Sequence, residues 1–365
     1  MKILHLLPGT GWGGAERAAC TLHRLALEHG HESKVDCRFT PEMAAAFTQE
    51  TGETLPSAQR GESATWLWAL AARKRKKAFS PDLIHAHLST PSAASSLSFI
   101  AGKVPLVFTF HLLPATEKWS RVRFLPWGSR SFIRWLLASN RRIRCVAVSA
   151  RDQSILAEML GLQAVSLAVN APPYPPARPS EHTGPMWDPG NLRLLSVGRL
   201  NHQKGFDQIL SALGTPCCQH LPFQWVVIGE GEERQHLEET LQASPIREKV
   251  RFLGARPADE AFAQAELVLC PSRFEGMPLV PLEAISTGAP VVLSRIPPHL
   301  EMLPGLERAF LPLKLAEWPQ ALAELITSPE LRAQIQAEEA ARVSSNPRQR
   351  WWEDYARIYE ETLRG

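Results

Sequence analysis

Short apolar runs alternate with helix-length amphipathic segments along the chain, and the series is run through twice. Sequences of this kind fold as parallel βαβ units with helices on both faces of a sheet. In the first half the predicted strands are KILHLL, SKVDCRF, DLIHAHL, PLVFTF, IRCVAVS and AVSLAV. In the second they are LRLLSVG, QWVVIG, VRFLG, ELVLC, PVVLS and RAFLPL. The segment AERAACTLHRLALEHG reads as a helix that Gly30 caps. Between the halves the chain is dense in Pro and Gly and loses its periodicity, which marks a linker. The predicted organisation is a Rossmann-like domain over 1–175, a linker over 176–190, a second Rossmann-like domain over 191–347 and a closing helix over 348–365. In that last helix Trp352, Tyr355, Ile358, Tyr359 and Leu363 share a stripe that must dock on something.

Two domains also suit the length, since 365 residues exceed what one core usually organises. With 44% hydrophobic and 21% charged residues there is ample surface to bury. A net charge of +3 is too small to argue for nucleic acid. The six cysteines form no CxxC pair and mostly fall in apolar runs, which fits a reducing cytoplasm. The apolar run after Lys2 is too short for a secretory signal, and no later run approaches the roughly 18 apolar residues of a spanning helix. Neither export nor membrane insertion is expected.

Ligands of doubly wound sheets bind beyond the carboxyl ends of the strands, so the loops there carry the chemistry. After LRLLSVG, Arg199 and Lys204 flank a loop that opens a helix behind Gly205, an arrangement suited to a diphosphate. After QWVVI, Gly229 and Gly231 bracket a tight turn that gives backbone N–H groups access to a phosphate or a base. After ELVLC, the stretch SRFEGMPLVPLEA sets Glu275 in a loop and Glu283 in the early turns of a helix seeded by Pro278 or Pro281 and closed by Gly288. Two carboxylates so placed can each accept hydrogen bonds from a pair of hydroxyls. A nucleotide sugar, with two hydroxylated rings joined by a diphosphate, uses all four residues.

Taken together, GRLNHQKG, IGEGEE, FLG and SRFEGMPLVPLEA…GAPVV resemble the retaining family-4 (GT4) glycosyltransferases of the GT-B fold, whose signature is the E-x7-E pair. GGAER, Gly13 to Arg17, is similar to that family's N-terminal glycine loop. The resemblance implies two Rossmann-like domains facing across a cleft, with the donor on the C-terminal domain and the acceptor on the N-terminal one. It assigns Arg199 and Lys204 to the diphosphate, Glu283 to the ribose and Glu275 to hydroxyls of the donor sugar. It also brings the backbone of Gly276, Met277, Pro278 and Leu279 to the sugar and phosphate, with Gly13, Gly14, Gly229 and Gly231 as further donor contacts. His111, at the end of PLVFTF, stands where the family carries a histidine near the reacting carbon, and with Glu275, Arg199 and Lys204 it makes the catalytic set. Glu16 and His87 are candidates on the acceptor side. No cofactor is implied beyond a uridine- or guanosine-linked donor. The final helix is implied to cross back to the first domain.

His85 and His87 alternate onto one face of LIHAHL, but no third ligand is apparent nearby, so no metal is expected. The loop GTGWGG differs from a dinucleotide fingerprint in its glycine spacing and lacks the acidic residue that should close the next strand. A nucleotide-sugar epimerase or a non-catalytic GT-B subunit is the remaining rival, alongside transfer to a soluble small-molecule acceptor.

The acceptor class is suggested by 118–151, which contains no acidic residue before Asp152 and interleaves cations with Trp119, Phe124, Trp127, Phe132 and Trp135. Basic residues near anionic lipid contribute about 1 kcal/mol each, and the aromatics can bury in the headgroup boundary. RKRKK, Arg73 to Lys77, is a second cluster on the same domain. A lipid-linked glycan at the inner face of the cytoplasmic membrane is the expected acceptor, in envelope polysaccharide synthesis, and nucleic acid is not an expected partner. Purified protein is expected to sediment with anionic but not neutral vesicles, to be released by salt, and to stop binding when Arg123, Arg130 and Arg134 become Glu. Equal sedimentation with neutral vesicles would return the question to soluble acceptors.

Overall fold

The computed structural model describes residues 1–8, 12–37, 41–54, 65–88, 94–113, 142–161, 165–174, 186–342 and 346–365. Most of the basic-aromatic segment 118–151 therefore lies outside the described residues, as does the start of the glycine loop at 9–11. The chain divides into two compact units, Met1–Arg178 with Asn346–Gly365, and Pro179–Ser345.

The first unit is built on six parallel strands: β1 (Lys2–Leu7), β2 (Glu32–Cys37), β3 (Leu83–Leu88), β4 (Leu106–Phe110), β5 (Ile143–Ala147) and β6 (Ser166–Leu167). Their order is β2-β1-β3-β4-β5-β6, so the winding reverses between β1 and β3. The register sets His5 opposite His85 and His87 opposite Thr109. Helix Gly14–Glu28 ends at the cap residue His29 with Gly30 at φ +75°, as the sequence predicts.

The C-terminal helix, Pro347–Arg364, belongs to this unit. Asn346 starts it by accepting the Gln349 N–H, and Pro347 occupies the first turn, where its missing N–H costs nothing. Its apolar stripe docks on the sheet: Trp351, Trp352, Tyr355, Ile358 and Tyr359 share a core with Ile3, Leu83, Val107 and Val146. Burying side chains of this size stabilises by about 1.5–3 kcal/mol each.

The second unit carries β7 (Leu192–Val197), β8 (Phe223–Ile228), β9 (Val250–Phe252), β10 (Leu267–Cys270) and β11 (Val291–Leu293), all parallel. Their order is β11-β10-β7-β8-β9, which reverses between β7 and β10. The predicted strand RAFLPL is not formed. A 3-10 turn at Glu307–Ala309 takes up the start of the run and leads to a single bridge, Leu293 to Phe310, with the Leu311 N–H donating to the Leu293 carbonyl at 2.8 Å. The last residues of the predicted linker are packed, with Trp187 buried in the second core and its indole N–H donating to the Leu194 carbonyl at 3.2 Å. Among the described residues no helix is long and apolar enough to cross a membrane.

Edge strand β11 is anchored by Glu339 of helix Pro329–Arg342, whose carboxylate accepts the Val291 N–H at 3.1 Å. Burial pushes this carboxyl from its ordinary 4.5 up to about 8, against the pull of the Val291 hydrogen bond. The folded chain therefore holds a proton there that the unfolded chain releases. The resulting stability is full below pH 4.5 and disappears as pH rises through about 8. Wild type is expected to lose up to about 1.4 kcal/mol per pH unit from this group within that window. Glu339→Gln removes that slope, so urea unfolding at pH 5 to 8 should show the variant gaining on wild type as pH rises; a difference independent of pH would refute the assignment.

Candidate functional site

The reversal between β7 and β10 sends their outgoing loops to opposite faces of the sheet and leaves a crevice at its carboxyl edge. Both loops carry residues singled out in the sequence. From β7 the chain passes Gly198 and Arg199 into a 3-10 turn, His202–Lys204, which Asn201 caps by accepting the Lys204 N–H at 3.2 Å. Gly205 follows at φ +68° and opens helix Phe206–Leu213. A Cβ there would lie 2.3 Å from the Pro271 carbonyl oxygen, so the two loops meet at this glycine.

From β10 the chain runs through Pro271 and Ser272 to Glu275, then enters helix Leu279–Ser286 with Pro278 as its N-cap. Gly276, Met277, Pro278 and Leu279 are buried, as is Glu283 on the helix. The helix stops at Thr287 and Gly288 follows at φ +82°.

The sequence treats Lys204 and Glu275 as separate ligand contacts; the structure joins them. Lys204 Nζ donates to Glu275 Oε1 at 2.6 Å, Ser272 Oγ to the same oxygen at 2.7 Å, and Gln203 Nε2 to the other oxygen at 3.0 Å. A second tie between the loops is the fork from Arg273 to Asp207, at 2.7 and 2.6 Å. Burial alone would raise Asp207, but the Arg273 hydrogen bond and charge hold its carboxyl below the ordinary range. The thiol of Cys270 reports the surrounding charges: burial raises it to about 12, opposed by Lys204 and reinforced by Glu275, Glu339 and Glu283. Arg199 is exposed, and its side chain makes no hydrogen bond among the described residues.

Sequence reasoning did not find Gln203, Ser272 or His299. Ser272 stands three residues before Glu275, a spacing that could have flagged it. His299, fully buried, lines a small cavity with Lys204, Ser272 and Glu275. Burial lowers its imidazole to about 4, with the Glu275 charge pulling the other way.

From β8, Gly229 takes φ +147° and donates its N–H to the Gly254 carbonyl at 2.9 Å. A Cβ on Gly229 would sit 1.9 Å from the Gly198 carbonyl oxygen, directly beside Arg199. Gly231 passes under Leu200, whose carbonyl accepts the Glu233 N–H at 2.9 Å.

The remaining candidates lie in the first unit. Gly13 is the extended N-cap of helix Gly14–Glu28, Gly14 is its first residue, and Glu16 stands in its first turn. His111 follows the last residue of β4 and is buried beside His87, with His87 Nδ1 and His111 Nε2 3.0 Å apart. The expectation that no third imidazole stands near His85 and His87 is corrected. Parallel pairing of β1 with β3 brings in His5, and one nitrogen from each of the three lies within 4.8 Å of the others. Both nitrogens of His85 are already engaged, by Tyr359 at 2.7 Å and Thr109 at 2.8 Å, and its ring lies over that of His87 with centroids 4.0 Å apart. Ligation of an ion would have to break those bonds and turn the rings. Burial keeps all of them neutral, taking His5 to about 3, His111 to about 4, and His85 and His87 well below their ordinary value.

Residues 12–177 match the family Glycosyltransferase Family 4, and residues 179–342 match glycosyl transferases group 1. The chain belongs to the family-4 glycosyltransferases. Among solved structures it is similar to Anabaena HepE in complex with UDP and glucose, at TM-score 0.72 and 20% identity over 99% of this chain and 98% of that one. It is similar also to WaaG, a glycosyltransferase involved in lipopolysaccharide biosynthesis, at TM-score 0.71 and 17% identity over 98% and 99%. These likenesses establish the GT-B fold, two Rossmann-like parallel-sheet domains. Among curated relatives, a component of the human phosphatidylinositol N-acetylglucosaminyltransferase is 28% identical over 260 residues, 65% of this chain and 51% of that protein. The chain spans about half the length of the curated relatives it matches.

Gly229→Ala must push Gly198 and Arg199 away, and strain of that kind costs of order 1–3 kcal/mol. The variant is expected to melt several degrees lower than wild type. Unchanged melting would show that this close approach does not matter.

Proposed function

We propose that the protein transfers a sugar, with retention of anomeric configuration and without a divalent metal, from a uridine- or guanosine-linked donor to a glycan acceptor carried on a lipid. The observation that carries the reading is the Lys204–Glu275 pair across the crevice between β7 and β10, the place where doubly wound sheets take their ligands.

A donor diphosphate brings negative charge to Arg199 and Lys204. As the bond between the anomeric carbon and the phosphate oxygen breaks, charge grows on that oxygen, and a fixed ammonium is worth most at that moment. Lys204 then divides its N–H groups between phosphate and Glu275, while the remaining acceptor capacity of Glu275 serves hydroxyls of the sugar. Glu283 serves the ribose, and the backbone of Gly276 to Leu279, with the turns at Gly229 and Gly231, approaches the phosphate and base. Metal independence is supported by these two cations and by a sequence in which no two aspartates stand two apart, so the D-x-D metal motif is missing. His111 is assigned to the neighbourhood of the reacting carbon, with Gly13 and Gly14 toward the donor and Glu16 and His87 toward the acceptor.

A lipid-linked acceptor is supported by the basic-aromatic segment 118–151 and by relatives that include a lipopolysaccharide enzyme and a component of a phosphatidylinositol glycosyltransferase. The setting is bacterial envelope polysaccharide synthesis, with the protein peripheral at the cytoplasmic face.

Lys204→Ala is expected to lower kcat by about 10²–10³ with little change in donor KM, because its contact strengthens in the transition state. Glu283→Ala is expected chiefly to raise donor KM. Activity should survive a chelator, and NMR of the product should show the donor's anomeric configuration. A Lys204→Ala enzyme with intact kcat, or an inverted product, would overturn the reading.

A further inference from the structure

The loops that leave β10 and β11 are tied together by a run of hydrogen bonds that ends on Glu275. Ser294, directly after β11, donates its N–H to the Cys270 carbonyl at 3.1 Å and its hydroxyl to the Ser272 carbonyl at 2.5 Å. Ser272 in turn donates its hydroxyl to Glu275 Oε1 at 2.7 Å. At the other end stands His299, in helix Pro297–Met302, with Nδ1 2.9 Å from the Ser294 carbonyl oxygen and 3.3 Å from Ser294 Oγ. Ser272, Glu275, Ser294 and His299 are all buried, His299 completely.

The direction of every bond in this run is fixed by a partner that can only accept. A carbonyl oxygen has no proton, so His299 Nδ1 must carry one and give it to Ser294. The single proton of the Ser294 hydroxyl goes to the Ser272 carbonyl, which leaves Ser294 Oγ to accept the second branch from His299. The Ser272 proton goes to the Glu275 carboxylate. His299 Nε2 is then a bare lone pair, and it is the nitrogen that is buried without a partner. Of the two orphans a core can hold, that is the more readily tolerated. Burial lowers the imidazole to about 4, but the donor at Nδ1 is present in either charge state.

Packing requires none of this. Apolar side chains would fill the same space without the cost of taking polar groups out of water. What the run accomplishes is placement. Ser272 is held against the end of β11 with its hydroxyl on Oε1, while Lys204 reaches the same oxygen at 2.6 Å and Gln203 the other at 3.0 Å. Three donors on a carboxylate with about four lone-pair sites fix its orientation and leave about one site for a ligand hydroxyl.

We infer that His299 is a positioning residue for the transfer, which acts through Ser294 and Ser272 to orient Glu275 toward the donor sugar. The run stands on the geometry of the second unit alone; its bearing on transfer rests on the reading of Glu275 as the carboxylate that meets hydroxyls of the donor sugar.

The wiring is tested without any donor, by long-range ¹H–¹⁵N correlation of the histidine rings near pH 7, with His299 assigned by its loss in His299→Asn. Wild type should show a protonated Nδ1 and a bare Nε2, the reverse of free histidine. A proton on Nε2 instead of Nδ1 overturns the inference. The role is tested with a panel of UDP- and GDP-linked hexoses, from which wild type selects its donor. His299→Leu is expected to lower kcat by about 10- to 100-fold, as displacement of a reacting geometry does. UDP or GDP alone should bind no more weakly, since Arg199, Lys204 and Glu283 are assigned to that part of the donor. His299→Asn, whose amide N–H can stand where Nδ1–H stood, should recover most of the turnover. Ser294→Ala cuts the same run at its next link, so it should lower kcat similarly, and the double variant should lose no more than the worse single one. Losses that multiply in the double variant, an Asn variant as poor as the Leu variant, or nucleotide binding that falls together with kcat would show that His299 only packs. Should His299→Leu fail to fold, the tautomer and Ser294→Ala still decide. Full turnover in Glu275→Ala, with the tautomer as stated, overturns the reading of Glu275 and with it the bearing on transfer, while the run stands.

Discussion

Parallel pairing is the constraint on which everything else depends. A strand that must lie parallel to its neighbour re-enters the sheet from the same edge each time, so every strand-to-helix loop gathers at one end. Where the winding reverses, two adjacent loops diverge and leave a crevice. In the second unit that pair is β7 and β10, and it carries Lys204 and Glu275. In the first it is β1 and β3, and it carries His5 with His85 and His87. Residues far apart in sequence become hydrogen-bonded pairs because the sheet order, not the chain order, decides which loops are neighbours.

This explains what could be read from the sequence. Strand positions, the two-domain plan and the docking stripe of the last helix are local patterns, legible as periodicity at Trp352, Tyr355, Ile358 and Tyr359 or as a run such as QWVVIG. The loops at Arg199, Gly229 and Glu275 were found because each follows a strand. What stayed hidden depends on register and on strand order. The third imidazole was missed because His5 looks like an ordinary polar residue in KILHLL until β1 is set against β3 with His5 opposite His85. The pairing of Lys204 with Glu275 was missed for the same reason. RAFLPL forms a single bridge and no strand, because Arg308 and Ala309 are taken up in a 3-10 turn that its apolar pattern does not announce. Trp187 was read as linker because its surroundings are Pro- and Gly-rich, whereas its indole is buried against β7.

The energetics separate residues kept for the fold from residues kept for the site. Ile3, Leu83 and Val107 show what the first sheet uses where only packing matters. His5, His85, His87 and Thr109 occupy equally buried positions on the same strands, and each must find partners to offset the cost of leaving water. Apolar residues of similar volume would stabilise at least as well, because a buried polar network is costly unless every member is satisfied. The network is nearly complete, and the two open nitrogens are at its ends.

The C-terminal helix belongs to the same account. Its stripe would dock as firmly with phenylalanine at 355 and 359, yet both positions are tyrosine, buried to the hydroxyl. The Tyr359 hydroxyl meets His85 at 2.7 Å, and that of Tyr355 meets Thr109 at 2.9 Å, which in turn meets the other nitrogen of His85. The end of the chain therefore supplies the polar partners that let His85 be buried, and His85 supplies the surface on which His87 lies. Packing alone accounts for the aromatic rings of the helix. The hydroxyls are accounted for by the imidazoles beneath them, which makes the returning helix a part of the frame that holds His111 and not only a cover for the sheet.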